Sequence, residues 1–251
     1  MFDLYWLITF FIVGIVFGSF FNVIGLRLPK NIPFHTGRSY CPNCEKQLHW
    51  YELIPVASYI LQRGKCNGCK EKISPLYPSM ELATGILFSL SYMTFGFQVE
   101  LIMALLLISM LIIIFITDIT YMLIPNKILL FFLPLFIIIR FIVPLDPWYN
   151  SLVGAIVGYG LIALIIIASK GGMGAGDMKL FGVVGIVLGL SHVLLTFFLA
   201  AIFGTIIGGA FMLFKKVERR QPIPFGPHIV AATIVSYFYG TKIIQFYLNM
   251  L

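Results

Sequence analysis

The sequence predicts an all-α polytopic membrane protein of about eight transmembrane helices, carrying a cytoplasmic zinc-ribbon-like loop domain. Three observations lead there. The 251 residues are 60% hydrophobic and 11% charged, with a mean hydropathy of +0.99, far from the composition of a water-soluble domain. The apolar residues form continuous runs near the ~20 residues that a spanning helix needs, and not the alternating ~10-residue segments of a barrel. All four cysteines fall in one polar interruption between the first two runs.

Eight runs mark the spans, at 4–24, 79–97, 99–117, 125–144, 151–169, 178–191, 193–214 and 228–249, the sixth being the shortest. The chain divides accordingly into a first transmembrane helix (1–24), a four-cysteine loop domain (25–78) and a multi-helix membrane portion (79–251). Basic residues set the orientation. Of the 17 Lys and Arg, eight lie between Arg27 and Lys72 and four from Lys215 to Arg220, while Lys127, Lys170 and Lys179 flank other spans. With the N-terminus outside, these 15 share one side and only Arg140 and Lys242 take the other. The positive-inside rule then puts both termini outside a plasma (inner) membrane and the loop domain in the cytoplasm. The net charge of +7 is thereby assigned to a membrane surface and not to nucleic acid. Asp3, with no basic residue before the first span, agrees, and the same lack of positive charge argues against a cleaved signal peptide.

In the loop domain, Cys41-Pro42-Asn43-Cys44 and Cys66-Asn67-Gly68-Cys69 form two knuckles with 21 residues between them, close to zinc-ribbon spacing. Four thiolates complete the tetrahedral shell of Zn(II) with no open position, so the metal is expected to hold shape and not to do chemistry. A pair of disulfides is the alternative, and a reducing cytosol disfavours it. His35 and His49 are read as surface residues, since four thiolates suffice.

Two aspartates stand where apolar runs meet the membrane surface, and ionisable groups in such places mark function by default. Asp118 follows Phe115-Ile116-Thr117, with Pro125 placed to start the next span; Asp177 follows Gly171-Gly172-Met173-Gly174-Ala175-Gly176. Four glycines in six residues interrupt a helix and let another backbone approach. Gly174 and Gly176 are therefore read as a substrate-approach loop beside Asp177. Two carboxylates sharing one proton can act as base on a water and as acid on a carbonyl, which points to an intramembrane aspartyl protease. The chief rival is an ion- or proton-coupled transporter using Asp118 and Asp177, although transporter sites lie near the bilayer midplane and these lie at its edge. A membrane anchor for a zinc module would leave the aspartates unexplained. A serine mechanism has hydroxyls at Ser19, Ser58 and Thr117, but only His228 near the right level, His35 and His49 being in the loop and His192 outside. Gly204-Thr205-Ile206-Ile207-Gly208 has the small-xxx-small spacing of close helix packing, and Pro222-Ile223-Pro224-Phe225-Gly226-Pro227 reads as a stiff loop into the last span.

Taken in order, these residues resemble the type IV prepilin peptidases, G-x-G-D aspartyl proteases related to preflagellin peptidases and more distantly to presenilins. The resemblance runs through Gly18-Ser19-Phe20-Phe21-Asn22-Val23 and Arg27-Leu28-Pro29, the four cysteines, Pro55-Val56-Ala57-Ser58-Tyr59, Arg63-Gly64-Lys65-Cys66, Tyr77-Pro78 with Glu81, Asp118, and Gly174-Ala175-Gly176-Asp177. The stretch Pro224-Phe225-Gly226-Pro227 is also similar to one in the family. Leu76, where many members have Arg, and Asn126, where Asp is frequent, depart from the pattern. The resemblance implies catalytic Asp118 and Asp177, and prepilin or pseudopilin substrates whose short basic leader is cut after a glycine and before an apolar helix. It also implies methylation of the new α-amino group with S-adenosylmethionine, by residues the sequence does not identify; no G-x-G-x-x-G follows a predicted strand. A basic leader meets a basic loop here, with Glu45, Glu52, Glu71 and Glu81 available to offset the repulsion, or with the loop's charges serving topology and anionic lipid.

Overall fold

Within hydrocarbon every backbone N–H and C=O must be bonded inside its own segment, so apolar runs of this length become helices. The computed structural model describes residues 3–33, 38–213 and 224–250. His35, the basic residues Lys215, Lys216, Arg219 and Arg220, and Pro222 and Ile223 lie outside the described residues. The helices are α1 (Leu4–Arg27), α2 (Ala57–Leu61), α3 (Leu76–Phe95), α4 (Val99–Tyr121), α5 (Asn126–Ile142), α6 (Asn150–Ala168), α7 (Ala175–Leu213) and α8 (Gly226–Leu248). Among the described residues there is no strand, only isolated antiparallel bridges at Tyr40/Gln47 and Lys65/Lys72.

The eight apolar stretches fall on seven long helices, the sixth and seventh both within the 39 residues of α7. Among the described residues, five segments are long and apolar enough to cross a membrane: Leu4–Lys30, Val99–Tyr121, Asn150–Ala168, Ala175–Ala210 and Gly226–Leu248. Helix α5 falls short because it has 17 residues, with Pro134 inside and Arg140 in its last turn.

The chain forms two compact units, Met1–Ile116 and Thr117–Leu251, the division falling inside α4. In the first, α1 and α3 run antiparallel with their backbones in close approach. A Cβ added at Gly14 would stand 2.7 Å from Gly85 Cα, and one at Gly18 would stand 2.8 Å from Glu81 Cα. Small residues at such crossings let dispersion contacts and main-chain bonds replace the hydrophobic drive that lipid removes. Ser89 Oγ accordingly donates to the Leu7 carbonyl at 2.9 Å, and Phe10 stacks on Tyr92 with ring centroids 5.0 Å apart.

In the second unit, α6 lies against the first half of α7 through Gly154, Gly158 and Gly185, again with no room for a side chain. Helix α7 is broken at Gly189 (φ 75°, ψ 180°), close to the boundary expected between the sixth and seventh spans. A break frees carbonyls before it and amides after it. The Val187 carbonyl accepts Arg140 Nε at 3.1 Å and Nη2 at 2.6 Å, and the Leu190 N–H donates to Asn150 Oδ1 at 2.8 Å. Arg140 is thus a buried cation matched to backbone dipoles at the break. A Cβ at Gly204, the first glycine of the small-xxx-small stretch, would meet the Phe225 ring at the entry to α8 at 3.1 Å.

Candidate active site and metal centre

Asp118 is in the last turn of α4 and 6% exposed. Its Oδ2 accepts the N–H of Gly226, the first residue of α8, at 2.8 Å. First-turn amides of a helix have no partner of their own, and the helix dipole favours an anion there. Asp118 thus occupies an N-terminus supplied by a helix 108 residues away. A Cβ at position 226 would stand 2.5 Å from that oxygen, so only glycine fits.

Asp177 is 8% exposed in the first turn of α7, and its Oδ2 accepts the Gly174 N–H at 3.2 Å while its own N–H donates to the Gly174 carbonyl at 3.1 Å. The two carboxylates, each held at a helix N-terminus, lie within range of each other's charge. A Cβ on Gly176 would stand 2.9 Å from Ile124 Cβ, so the bare α7 backbone is what admits the turn that follows Asp118. Lys179 Nζ donates to Asn126 Oδ1 at 3.0 Å, a second tie between the starts of α7 and α5 at the position where the sequence departs from the family pattern.

His228, the histidine that the sequence put near the aspartates' level, lies within range of the Asp118 charge and is 6% exposed. Its ring stacks on Phe225, and the backbone of Pro224 and Phe225 faces the imidazole. Beside it opens a cavity of about 350 Å³ whose walls include Met173, Phe197, Gly204 and Phe225. The Pro-Phe-Gly-Pro stretch had signalled this region; the Gly226 amide as the group that grips Asp118 had no sequence signal, because the bond depends on which helix end meets which.

The four cysteine sulfurs all lie within 4.8 Å of one another, with Cys41 to Cys69 at 3.8 Å and Cys44 to Cys66 at 4.0 Å. A tetrahedron with metal–sulfur arms of about 2.3 Å has edges of roughly 3.8 Å, so the donor set fits a four-thiolate metal site. The two knuckles repeat one design. Cys41 and Cys66 each donate their N–H to the carbonyl five residues on (Lys46, Glu71) and accept the amide four residues on (Glu45, Lys70), where φ is positive at 57° and 60°. Amides of Cys69 and Gly68 aimed at Cys66 bring its thiol down to about 6, favouring the thiolate that binds metal.

Glu52 joins the knuckles. Its buried carboxylate accepts the His49 N–H at 2.9 Å, Asn67 Nδ2 at 2.9 Å and Lys46 Nζ at 3.1 Å, and these donors, the His49 amide foremost, hold it below the usual carboxylate range. Glu81, also buried, accepts the Val56 N–H at 2.7 Å and a bond from Ser19, tying the loop domain to α1 and α3. Both carboxylates are therefore committed internally and are not free to offset the loop's basic charge against a basic leader.

Comparison with known proteins follows the same division. Residues 12–95 match the family model described as Bacterial Peptidase A24 N-terminal domain, and residues 105–209 match that of the Type IV leader peptidase family. The chain is 45% identical over 240 residues to the prepilin leader peptidase/N-methyltransferase of Bacillus subtilis (strain 168), covering 96% of this chain and 97% of that protein. It is 32% identical to the protein of that name from Stutzerimonas stutzeri and 30% identical to that from Pseudomonas aeruginosa, each over 95% of this chain and 92% of the relative. No solved structure matches the chain.

Proposed function

The chain belongs to the type IV leader peptidase family, and from that premise we propose that it cuts the leader from type IV prepilins and pseudopilins at the cytoplasmic face, with Asp118 and Asp177 as an aspartyl dyad. The observation that carries the reading is the pair itself: two nearly buried carboxylates, each fixed by a glycine amide, within range of each other's charge. In the mechanism the pair shares one proton. The ionised carboxylate takes a proton from water as that water attacks the scissile carbonyl carbon, and the protonated one donates to the carbonyl oxygen. A tetrahedral intermediate forms with no acyl-enzyme, and collapses as the leaving amine is protonated. The face of Gly176 is taken up by Ile124, so of the two glycines only Gly174, beside the Asp177 carboxylate, is proposed to receive an extended substrate. A peptidase family weighs against the ion-coupled transporter reading.

Zinc fits the four thiolates, and Cys41, Cys44, Cys66 and Cys69 would hold it as a closed structural site that keeps the loop domain folded. The relatives' names also carry N-methyltransferase, and the proposal extends to methylation of the new α-amino group by S-adenosylmethionine. The first unit offers one orphaned buried acceptor among its described residues, Asn22 Oδ1, which does not define a site for that group, so no residue is given a part in the methyl step.

The test is cleavage of a precursor pilin in membranes by wild type, Asp118→Asn and Asp177→Asn, with zinc content measured in each. Loss of cleavage in both at unchanged zinc is expected; full cleavage by either variant would sink the dyad.

A further inference from the structure

The 3₁₀ turn Trp50–Leu53 and the residue after it invert the pattern of a water-soluble surface. Glu52, the one charged residue, is turned inward to bridge the two knuckles, while Trp50, Tyr51, Leu53 and Ile54 all stand exposed, Trp50 at 78%. Apolar side chains exposed singly need no explanation, but four in five consecutive residues, two of them aromatic, mark a surface that something covers. We infer that this turn is a membrane anchor of the loop domain, resting in the interfacial layer of an anionic bilayer with the Trp50 and Tyr51 rings at headgroup level.

Depth favours lipid as the cover. The chain that leaves the turn is pinned at Val56, whose N–H donates to Glu81 Oε2 at 2.7 Å, and Glu81 also takes a bond from Ser19. Val56 makes its bond at a φ of 60°, a costly conformation for a β-branched residue. Ser19 is eight residues before the end of α1, ~12 Å along the helix axis, and lies inside Leu4–Lys30, a segment long and apolar enough to cross a membrane. Glu81 lies five residues after the start of α3. The corner of the loop domain is thus drawn down beside two apolar helices, within the ~5–10 Å that an interfacial element sinks below the headgroups. Trp and Tyr suit that layer, because each presents an apolar ring together with an N–H or O–H that stays wet.

Charge selects lipid over protein. Between Arg27 and Lys72 eight basic residues face only the acids Glu45, Glu52 and Glu71, and Glu52 is buried in its bond with Lys46. Arg63, Lys65, Lys70 and Lys72 are all exposed. Such a surround repels a second copy of the same domain, and a basic leader with it, whereas it attracts the phosphates of anionic headgroups.

The experiment reads the fluorescence of Trp50 in full-length protein held in single-copy lipid nanodiscs. Wild type is compared with Trp50→Phe, the difference being the Trp50 signal, and with a Trp6→Phe, Trp148→Phe double variant in which Trp50 is the only indole. The discs are phosphatidylcholine alone or mixed with phosphatidylglycerol, with or without bromine on the acyl chains, and acrylamide is the quencher from water. Brominated chains are expected to quench Trp50 at least about twofold in the anionic discs while acrylamide hardly reaches it, with weaker quenching in neutral discs and at high salt. Trp50 open to acrylamide and untouched by bromine, or shielded from both quenchers as under a protein cover, would overturn the anchor. Equal quenching in neutral and anionic discs would overturn the part given to charge.

Discussion

Gly226 gives its amide to Asp118 at 2.8 Å and has no space for a methyl group, which would stand 2.5 Å from the same carboxylate oxygen. Gly226→Ala must therefore displace either the carboxylate or the start of α8, and an ångström-scale misplacement of a reacting group costs about 100-fold in rate. Cleavage by this variant is expected to fall by about that factor at unchanged zinc content, in the assay used for the aspartates. Gly209 is the control. Nothing lies within 4 Å of a Cβ there, so Gly209→Ala should cut at the wild-type rate and gain about 0.5–1 kcal/mol of helix stability, read as a small rise in unfolding temperature.

At the scale of elements, the loop domain and the break in α7 each hang on one charged side chain. Glu52 bonds Lys46 beside the first knuckle and Asn67 inside the second, so Glu52→Ala is expected to release zinc to a chelator faster than wild type, measured with a chromogenic zinc dye. Its carboxylate is held below the ordinary range of about 4.3, so the stability it confers is complete above that range and is lost as pH falls through the lowered value. Protonation of Cys66, whose thiol stands at about 6, acts in the same direction at higher pH. Metal affinity should therefore decline steadily on acidification from about pH 8 to pH 5, because protons compete for the thiolates. Rising affinity over that interval would contradict a thiolate site. In α7, Arg140 donates twice to the Val187 carbonyl, and hydrogen bonds to charged groups are worth about 1.5–3 kcal/mol each. Arg140→Met should destabilise the second unit by about 3–6 kcal/mol, read by thermal unfolding in detergent, with the loop domain's zinc retained.

For the whole molecule, sidedness is read from the distribution of basic residues. If the 15 clustered basic residues face the cytoplasm, the α5–α6 connection at Trp148 lies outside and the loop domain at Leu61 lies inside; both positions are well exposed. In intact cells a membrane-impermeant maleimide should label Trp148→Cys and leave Leu61→Cys unlabelled until the membrane is opened. The opposite pattern would invert the topology and move the aspartates to the other face.

What the sequence by itself determined is local or one-dimensional. Spans were legible because a bilayer demands apolar length, whatever packs beside it; the metal site was legible because Cys-x-x-Cys places two sulfurs on one turn. Asp118 and Asp177 stood out because a charge at a membrane boundary is costly unless it is used. Tertiary structure alone decided which groups meet. The amide holding Asp118 comes from α8, the neighbour of Gly176 is Ile124, the cation at the α7 break is Arg140, and Gly204 faces the Phe225 ring. Glu52 and Glu81, which the sequence offered as offsets to the loop's basic charge, are buried acceptors of backbone amides. In each case the deciding energy is packing and hydrogen bonding between segments far apart in the chain, and lipid, as apolar as the side chains themselves, leaves no mark in composition of which helix faces which.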